Sequence, residues 1–171
     1  MTWRTTLLCG VLVLAVGCSG GSKDPRAKKA KETVQEAHKA MMDSNYAKLI
    51  DLTHPAAVKM LGGKEKAIET VREAMEGIKG QGLTIQSMEA LDPEEPVTSG
   101  AEVYVVVPCT LEMKGGGKTV SVKSFYLGIS SDKGETWTFL DGSQGEGMIR
   151  QVLPNLPADL KLPKPEQPKV R

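Results

Sequence analysis

The sequence predicts an α+β domain: N-terminal helices packed on a bent antiparallel sheet of about four strands. Three observations predict it. From Ala27 to Ile78 the apolar residues recur at spacings of three and four, the period of a helix face. After Gly82 the period falls to two, the period of a strand. The alternating runs are joined by short turn segments such as Lys114-Gly115-Gly116-Gly117, which suit antiparallel hairpins and are too short for parallel crossovers.

Asp24-Pro25 is an N-cap followed by proline at the first helical position. Ala27, Ala30, Val34, Ala37 and Met41 make one apolar stripe, while Lys28, Lys29, Lys31, Glu32, Glu36 and Lys39 are solvated. Ser44-Asn45 breaks this helix. Tyr46, Leu49, Ile50 and Leu52 predict a short second one that stops before Pro55. Gly62-Gly63 opens a third, striped by Ile68, Val71, Met75 and Ile78 and closed by Gly80 and Gly82.

Leu83 to Leu91 reads as a strand of imperfect alternation, and Asp92 to Pro96 as a loop. Ala101 to Met113 is the clearest strand. Its odd-numbered residues, Cys109 among them, form an apolar face and its even-numbered residues a mixed one. Pro108 cannot donate to a ladder and marks a bulge or an unpaired point. In the next strand Val120 and Val122 are out of phase with Phe125, Leu127 and Ile129. One extra residue near Lys123-Ser124, a β-bulge, would bring all five to one face. A hairpin at Ser131 to Gly134 leads into Thr136 to Leu140, and Met148 to Leu153 predicts a short closing helix. From Pro154 on, the chain holds five of its ten prolines and is expected to be extended and mostly unordered.

The first residues have a different character. Met1 to Thr6 carries one cation, Arg4, and no acid; Leu7 to Val16 is almost wholly apolar. That run is too short to span roughly 30 Å of hydrocarbon, which takes about 20 residues. It reads as a signal peptide with a small-residue cleavage site. Leu14-Ala15-Val16-Gly17-Cys18 resembles the lipobox of bacterial lipoproteins, which implies that Cys18 is acylated and becomes the mature N-terminus. A thiol is required there because a thioether carries the diacylglycerol, and several acyl chains make such an anchor nearly permanent. By similarity to enterobacterial sorting, in which an Asp after the lipid-bearing Cys retains the protein in the inner membrane, Ser19 favours the outer membrane. The plan is a signal peptide over 1–17, a lipid-anchored tether over 18–25, one α+β domain over 26–153 and a Pro-rich extended tail over 154–171.

Cleavage would remove 17 of the 171 residues and leave 154, enough for one domain with a real core. The 22 Lys and Arg, less Arg4, then balance the 21 Asp and Glu, which argues against nucleic-acid binding. Cys9 leaves with the signal and Cys18 is taken by lipid, so Cys109 has no partner for an internal disulfide. One Cys and two His argue against a structural zinc site, and no cofactor is implied.

Helices first, then long strands wrapping a cone, is the plan from Ala27 to about Asp141. It resembles the nuclear transport factor 2-like fold of the cystatin-like class. Gly62-Gly63-Lys64-Glu65-Lys66 through Thr136-Trp137-Thr138-Phe139 is similar to bacterial lipoproteins and small exported proteins with that fold. The fold hosts enzymes, adaptors and ligand carriers, so the resemblance fixes no function.

The chemistry-bearing motifs are few. Ser130-Ser131-Asp132-Lys133-Gly134-Glu135-Thr136-Trp137 matches the Asp-box pattern that recurs in sialidase propellers. A propeller needs several copies. The single copy here reads as a hairpin in which Asp132 accepts backbone N–H groups, Gly134 takes a positive φ and Trp137 packs on the base. Gly117-Lys118-Thr119 ends like a phosphate-binding loop, but Glu112 stands where that loop needs glycine and a strand follows instead of a helix. Gly142 to Gly147 is glycine-rich but lacks dinucleotide-binding spacing.

Asp51 and His54 are three residues apart, near enough to hydrogen-bond, though His54 before Pro55 suits a helix-end role. In fold relatives that act as isomerases or dehydratases, Asp and His in the cone transfer protons; no motif here carries those residues over. His38, beside the first stripe, is expected to be a half-buried surface residue. Cys109 is expected to be a buried, inert thiol. Asp51, His54, Tyr104 and Tyr126 are the candidates to line a pocket, and no residue is assigned a catalytic role.

The function expected is that of a membrane-anchored envelope lipoprotein with a non-catalytic binding or interaction domain. Its partners would be the lipid bilayer through acylated Cys18 and a small apolar ligand or an envelope protein. The alternatives are a small-molecule isomerase or cyclase using the cone, and a structural envelope component acting through its Pro-rich tail.

Overall fold

The computed structural model describes residues 21–164 and 166–171. The expected signal peptide and Cys18 lie outside the described residues. Helices α1 (Pro25–Met42), α2 (Tyr46–Leu52), α3 (Pro55–Met60) and α4 (Lys64–Gly80) precede the sheet. Asp24 caps α1, its carboxylate accepting from the Arg26 N–H at 2.8 Å. Ser44 takes a positive φ of 56°, and Asn45 caps α2 by accepting from the Lys48 N–H. Helix α3 is additional to the three expected. Proline stands at its start, and His54 Nδ1 accepts from the Ala56 N–H at 3.3 Å.

The sheet is antiparallel and six-stranded: β1 (Thr84–Ala90), β2 (Val97–Ser99), β3 (Glu102–Gly115), β4 (Lys118–Ser130), β5 (Thr138–Asp141) and β6 (Lys169–Val170). The long β3–β4 hairpin is its centre. On one side of it β1 and β2 pair successive parts of β3; on the other, β5 and β6 pair opposite ends of β4. Gly116 and Gly117 turn the hairpin with φ of 57° and 76°, the positive pair that a two-residue type I′ loop needs. Pro108 sits where β1 ends. Its carbonyl accepts from the Leu91 N–H at 2.8 Å, so the donor it lacks faces the gap before β2. The four expected strands are β1, β3, β4 and β5; β2 and β6 are too short to show a period.

Two expectations are corrected together. No bulge interrupts β4: its register with β3 runs unbroken from Val103 opposite Ser130 to Gly115 opposite Lys118. The one register shift lies in β1, between Ile85 and Ser87. The phase change in β4 has another cause, which is that both faces of the sheet are buried. Toward α1, the residues Val103, Val105 and Val107 pack with Trp137, Phe139, Ala27, Ala30 and Val34. On the opposite face, Tyr104, Val106, Phe125, Leu127 and Ile129 are covered by Ile149 of α5 (Glu146–Val152) and by Leu156 and Leu160. The tail is therefore docked, contrary to the expectation of an unordered segment. Leu156 and Leu160 are buried, Arg150 donates to the carbonyls of Leu156 and Pro157, and β6 pairs with Val120 and Ser121. Among the described residues no helix is long and apolar enough to cross a membrane.

The Asp-box hairpin ties β4 and β5 to the start of α1. Asp132 accepts from the backbone N–H groups of Glu135 and Thr136 and from the hydroxyls of Ser130 and Thr136. These donors hold its carboxyl well below the ordinary carboxylate range. Gly134 takes a φ of 95° against the Arg26 side chain, Trp137 Nε1 donates to the Gly134 carbonyl at 3.1 Å, and Lys29 pairs with Glu135.

Candidate functional site

A cavity of about 400 Å³ opens beside the β5 edge. All five helices of the described residues contribute to its wall, as Ala37 of α1, Leu49 of α2, Met60 of α3, Val71 of α4 and Met148 of α5 illustrate. The backbone holds α2 and α3 at this edge. Thr53 bridges to Phe139, and the His54 N–H donates to the Phe139 carbonyl at 2.9 Å. The cavity persists because α4 packs on α2 and α3 and leaves only Ala67 of its own residues buried. The expected stripe of Ile68, Val71, Met75 and Ile78 is thus half-buried, so α4 closes the helical layer without filling the space beneath it.

The sheet contributes Tyr126, Phe139, Leu140 and Asp141. Tyr126 and Asp141 are direct cross-strand partners, so their side chains share a face of the sheet. Phe139 meets Tyr126 edge-on with ring centroids 6.3 Å apart. Among the described residues the polar lining consists of Thr53, Tyr126, Asp141 and Gln144, with no Lys, Arg or His. The Thr53 hydroxyl donates to the Leu49 carbonyl at 3.0 Å.

Asp141 is open to solvent at its own surface yet surrounded by protein, as expected of a carboxyl inside a cavity. Desolvation pushes its pKa up, opposed by the Ser143 N–H, which donates to it at 2.8 Å. Burial pushes the Tyr126 phenol far up as well, and the Asp141 charge adds to that shift. Neighbouring Cys109 is buried, its thiol pushed up to about 12 chiefly by burial. A thiol so shifted is no nucleophile near neutral pH.

The four residues expected to line a pocket do not converge. Only Tyr126 lines this cavity. Asp51 pairs with Lys64 beside a shallow depression between α2, α3 and the turn that leads into α4. His54 caps α3, so Asp51 and His54 serve two helices and do not form a dyad. Tyr104 lies on the opposite sheet face, where its hydroxyl donates to Glu102.

His38 is also placed differently from expectation. It is buried against Tyr126 with ring centroids 5.3 Å apart, and neither ring nitrogen meets a hydrogen-bond partner of normal geometry among the described residues. Desolvation lowers its pKa, offset in part by the nearby Met88 backbone. It sits behind Tyr126 and outside the cavity lining. The residue that sequence reasoning missed is Asp141. Its signal was an acid in phase with Trp137 and Phe139, one residue past the apolar strand.

Among the described residues no cluster of His, Cys, Asp and Glu could hold a metal ion. The arrangement offers a mostly apolar chamber with one carboxyl and one phenol on its wall, which suits binding and orientation of a small molecule. Comparison with protein-family models, with curated proteins and with solved structures finds no match at a significant level.

Proposed function

We propose that the chain is the precursor of a bacterial envelope lipoprotein, anchored through acylated Cys18, whose domain binds a small, mostly apolar ligand between its helices and its sheet. The observation that carries the binding reading is the apolar cavity of about 400 Å³, within the range typical of small-molecule sites. The anchor rests on the apolar run, the Leu-Ala-Val-Gly-Cys string and the Ser-Gly-Gly-Ser tether. We assign the domain to the nuclear transport factor 2-like class on its helices-first order, its long central hairpin and a cavity between the two layers. The regular β4 removes the bulge as a support for the cone, leaving the register shift in β1 as the one irregularity among the described strand pairs.

Two measurements test the proposal. Metabolic labelling with a palmitate analogue should mark the wild type and not Cys18→Ser; labelling that survives the substitution overturns the anchor. A fluorescent apolar probe should bind the protein saturably and lose that binding in Ala37→Trp, which fills the chamber. Equal binding by both proteins overturns the cavity reading. The enzyme alternative needs two titratable groups acting on one substrate, and the juxtaposition of Tyr126 with Asp141 is the observation in its favour.

A further inference from the structure

We infer that the cavity selects apolar molecules carrying a single cationic amine, with the ammonium group seated on Asp141. The inference rests on the proposed binding role and adds the chemistry of the ligand. Among the described residues Asp141 is the only acid in the lining, and none of them in the lining is Lys, Arg or His. Its hydrogen bonding from described residues comes from Ser143 alone, and no described Lys, Arg or His forms an ion pair with it. Other carboxylates at the surface do find cations, as Asp51 finds Lys64 and Asp92 finds Lys31. A carboxylate in a mostly apolar lining, without a counter-ion among the described residues, is well completed by a ligand that brings one, because a charge-assisted hydrogen bond strengthens as the ligand's own apolar part displaces water from the lining.

The rest of the chamber fits the same ligand. Tyr126 and Phe139 lie on the Asp141 face of β4 and β5, and aromatic rings attract an ammonium group through their quadrupoles. Met60, Leu61 and Met148 line the cavity and are also among the most exposed large apolar residues of the fold, which places an adaptable apolar rim at its mouth. A hydrocarbon tail is accepted by such walls, whereas a ligand carboxylate would meet Asp141 as a like charge. A neutral alcohol gains the walls but not the ion pair.

The test uses the full chain with Cys18→Ser, so that no acyl group competes for the site, and with methionine methyl groups labelled for NMR. Octylamine, octanol and octanoate share one chain length and differ in head group. At about pH 7 the amine is protonated. Octylamine should shift the methyl resonances of Met41, Met60 and Met148 and bind about tenfold more tightly than octanol. Octanoate should bind more weakly than either. Asp141→Asn should bring octylamine to the level of octanol while leaving octanol binding intact, which also shows that the variant is folded. Octanol binding as tightly as octylamine, or a preference for octylamine that survives Asp141→Asn, overturns the inference and leaves the binding role standing. If none of the three shifts those methyl groups, the binding role falls with it.

Discussion

The docked tail makes the sharpest claim about stability. Leu156 and Leu160 keep only 6 % and 7 % of their surface exposed, against a strand face whose Phe125 and Leu127 are fully buried. Truncating a buried leucine to alanine costs about 2–5 kcal/mol, the transfer term plus the cavity left behind. Leu156→Ala and Leu160→Ala belong at the lower end, about 2–3 kcal/mol each, because a segment without a helix or strand around it can partly collapse into the space. The two side chains share one cluster, so the double variant should lose less than the sum. Ending the chain after Leu153 should also cost less than the sum, since deletion removes the entropy cost of ordering the tail together with its contacts. Urea unfolding of the full chain is the assay. With a slope of about 1–3 kcal/mol per molar, a loss of 2 kcal/mol lowers the midpoint by about 1 M. Asp159→Ala, on the exposed side of the same segment, is the control and should leave the midpoint unchanged. If both leucine variants unfold at the wild-type midpoint, the tail does not cover the sheet and the two-sided core is wrong.

The remaining expectations follow from single side chains. Cys109, buried and with its pKa pushed up to about 12, should react with a thiol reagent only after denaturation; fast modification of the native protein would refute its burial. Gly142→Ala should destabilise by about 1–3 kcal/mol in urea, because its Cβ would stand 2.5 Å from the buried Phe125 ring; wild-type stability would show that the ring yields freely. His38 has a folded pKa below its ordinary 6.5, so the stability it contributes is present above that value and is lost as pH falls through the folded one. His38→Leu should therefore flatten the decline in the urea midpoint between about pH 8 and pH 5, the span in which an unfolded-state histidine gains its proton. It should not lower stability at the alkaline end, since it removes two unpartnered buried nitrogens. An unchanged decline would mean that His38 is hydrated.

Helix positions were legible because a helix writes its buried face into a local period. The Ala27 to Met41 stripe and the Asp24-Pro25 cap return as α1 almost residue for residue. The two-glycine loop likewise fixed the β3–β4 hairpin from its own positive φ. Helix α3 was hidden because six residues hold too few turns to show a stripe. Its signal was the His54-Pro55 pair, read as the end of one helix when it also begins the next. Strands β2 and β6 owe their existence to the exposed ladder groups of β3 and β4, a property of the partner and not of their own three and two residues.

The misread phase of β4 and the missed site have one cause. A period of two reveals which residues share a face but not how many faces are covered, and the cover for Phe125, Leu127 and Ile129 arrives from Ile149, Leu156 and Leu160, far downstream. Once the tail buries that face, a switch of phase needs no bulge, and the opposite face is free to carry polar groups wherever the helices stand off. They stand off at the β5 edge, where α2 and α3 are held by backbone bonds to Phe139 and α4 rests on them. A cavity is thus a failure of two layers to meet, set by which helices rest on which, and no local pattern encodes it. What the sequence did carry was an anomaly at its rim: an acid, Asp141, in register with a strand face that otherwise runs Trp137 and Phe139. An acid in phase with a buried face must be paired, neutral, hydrated or waiting for a ligand. Asp141 has no cation beside it among the described residues and stands exposed at the strand end, so water holds the carboxylate until a ligand displaces it, and the amine titration against Asp141→Asn is the measurement that separates the two states.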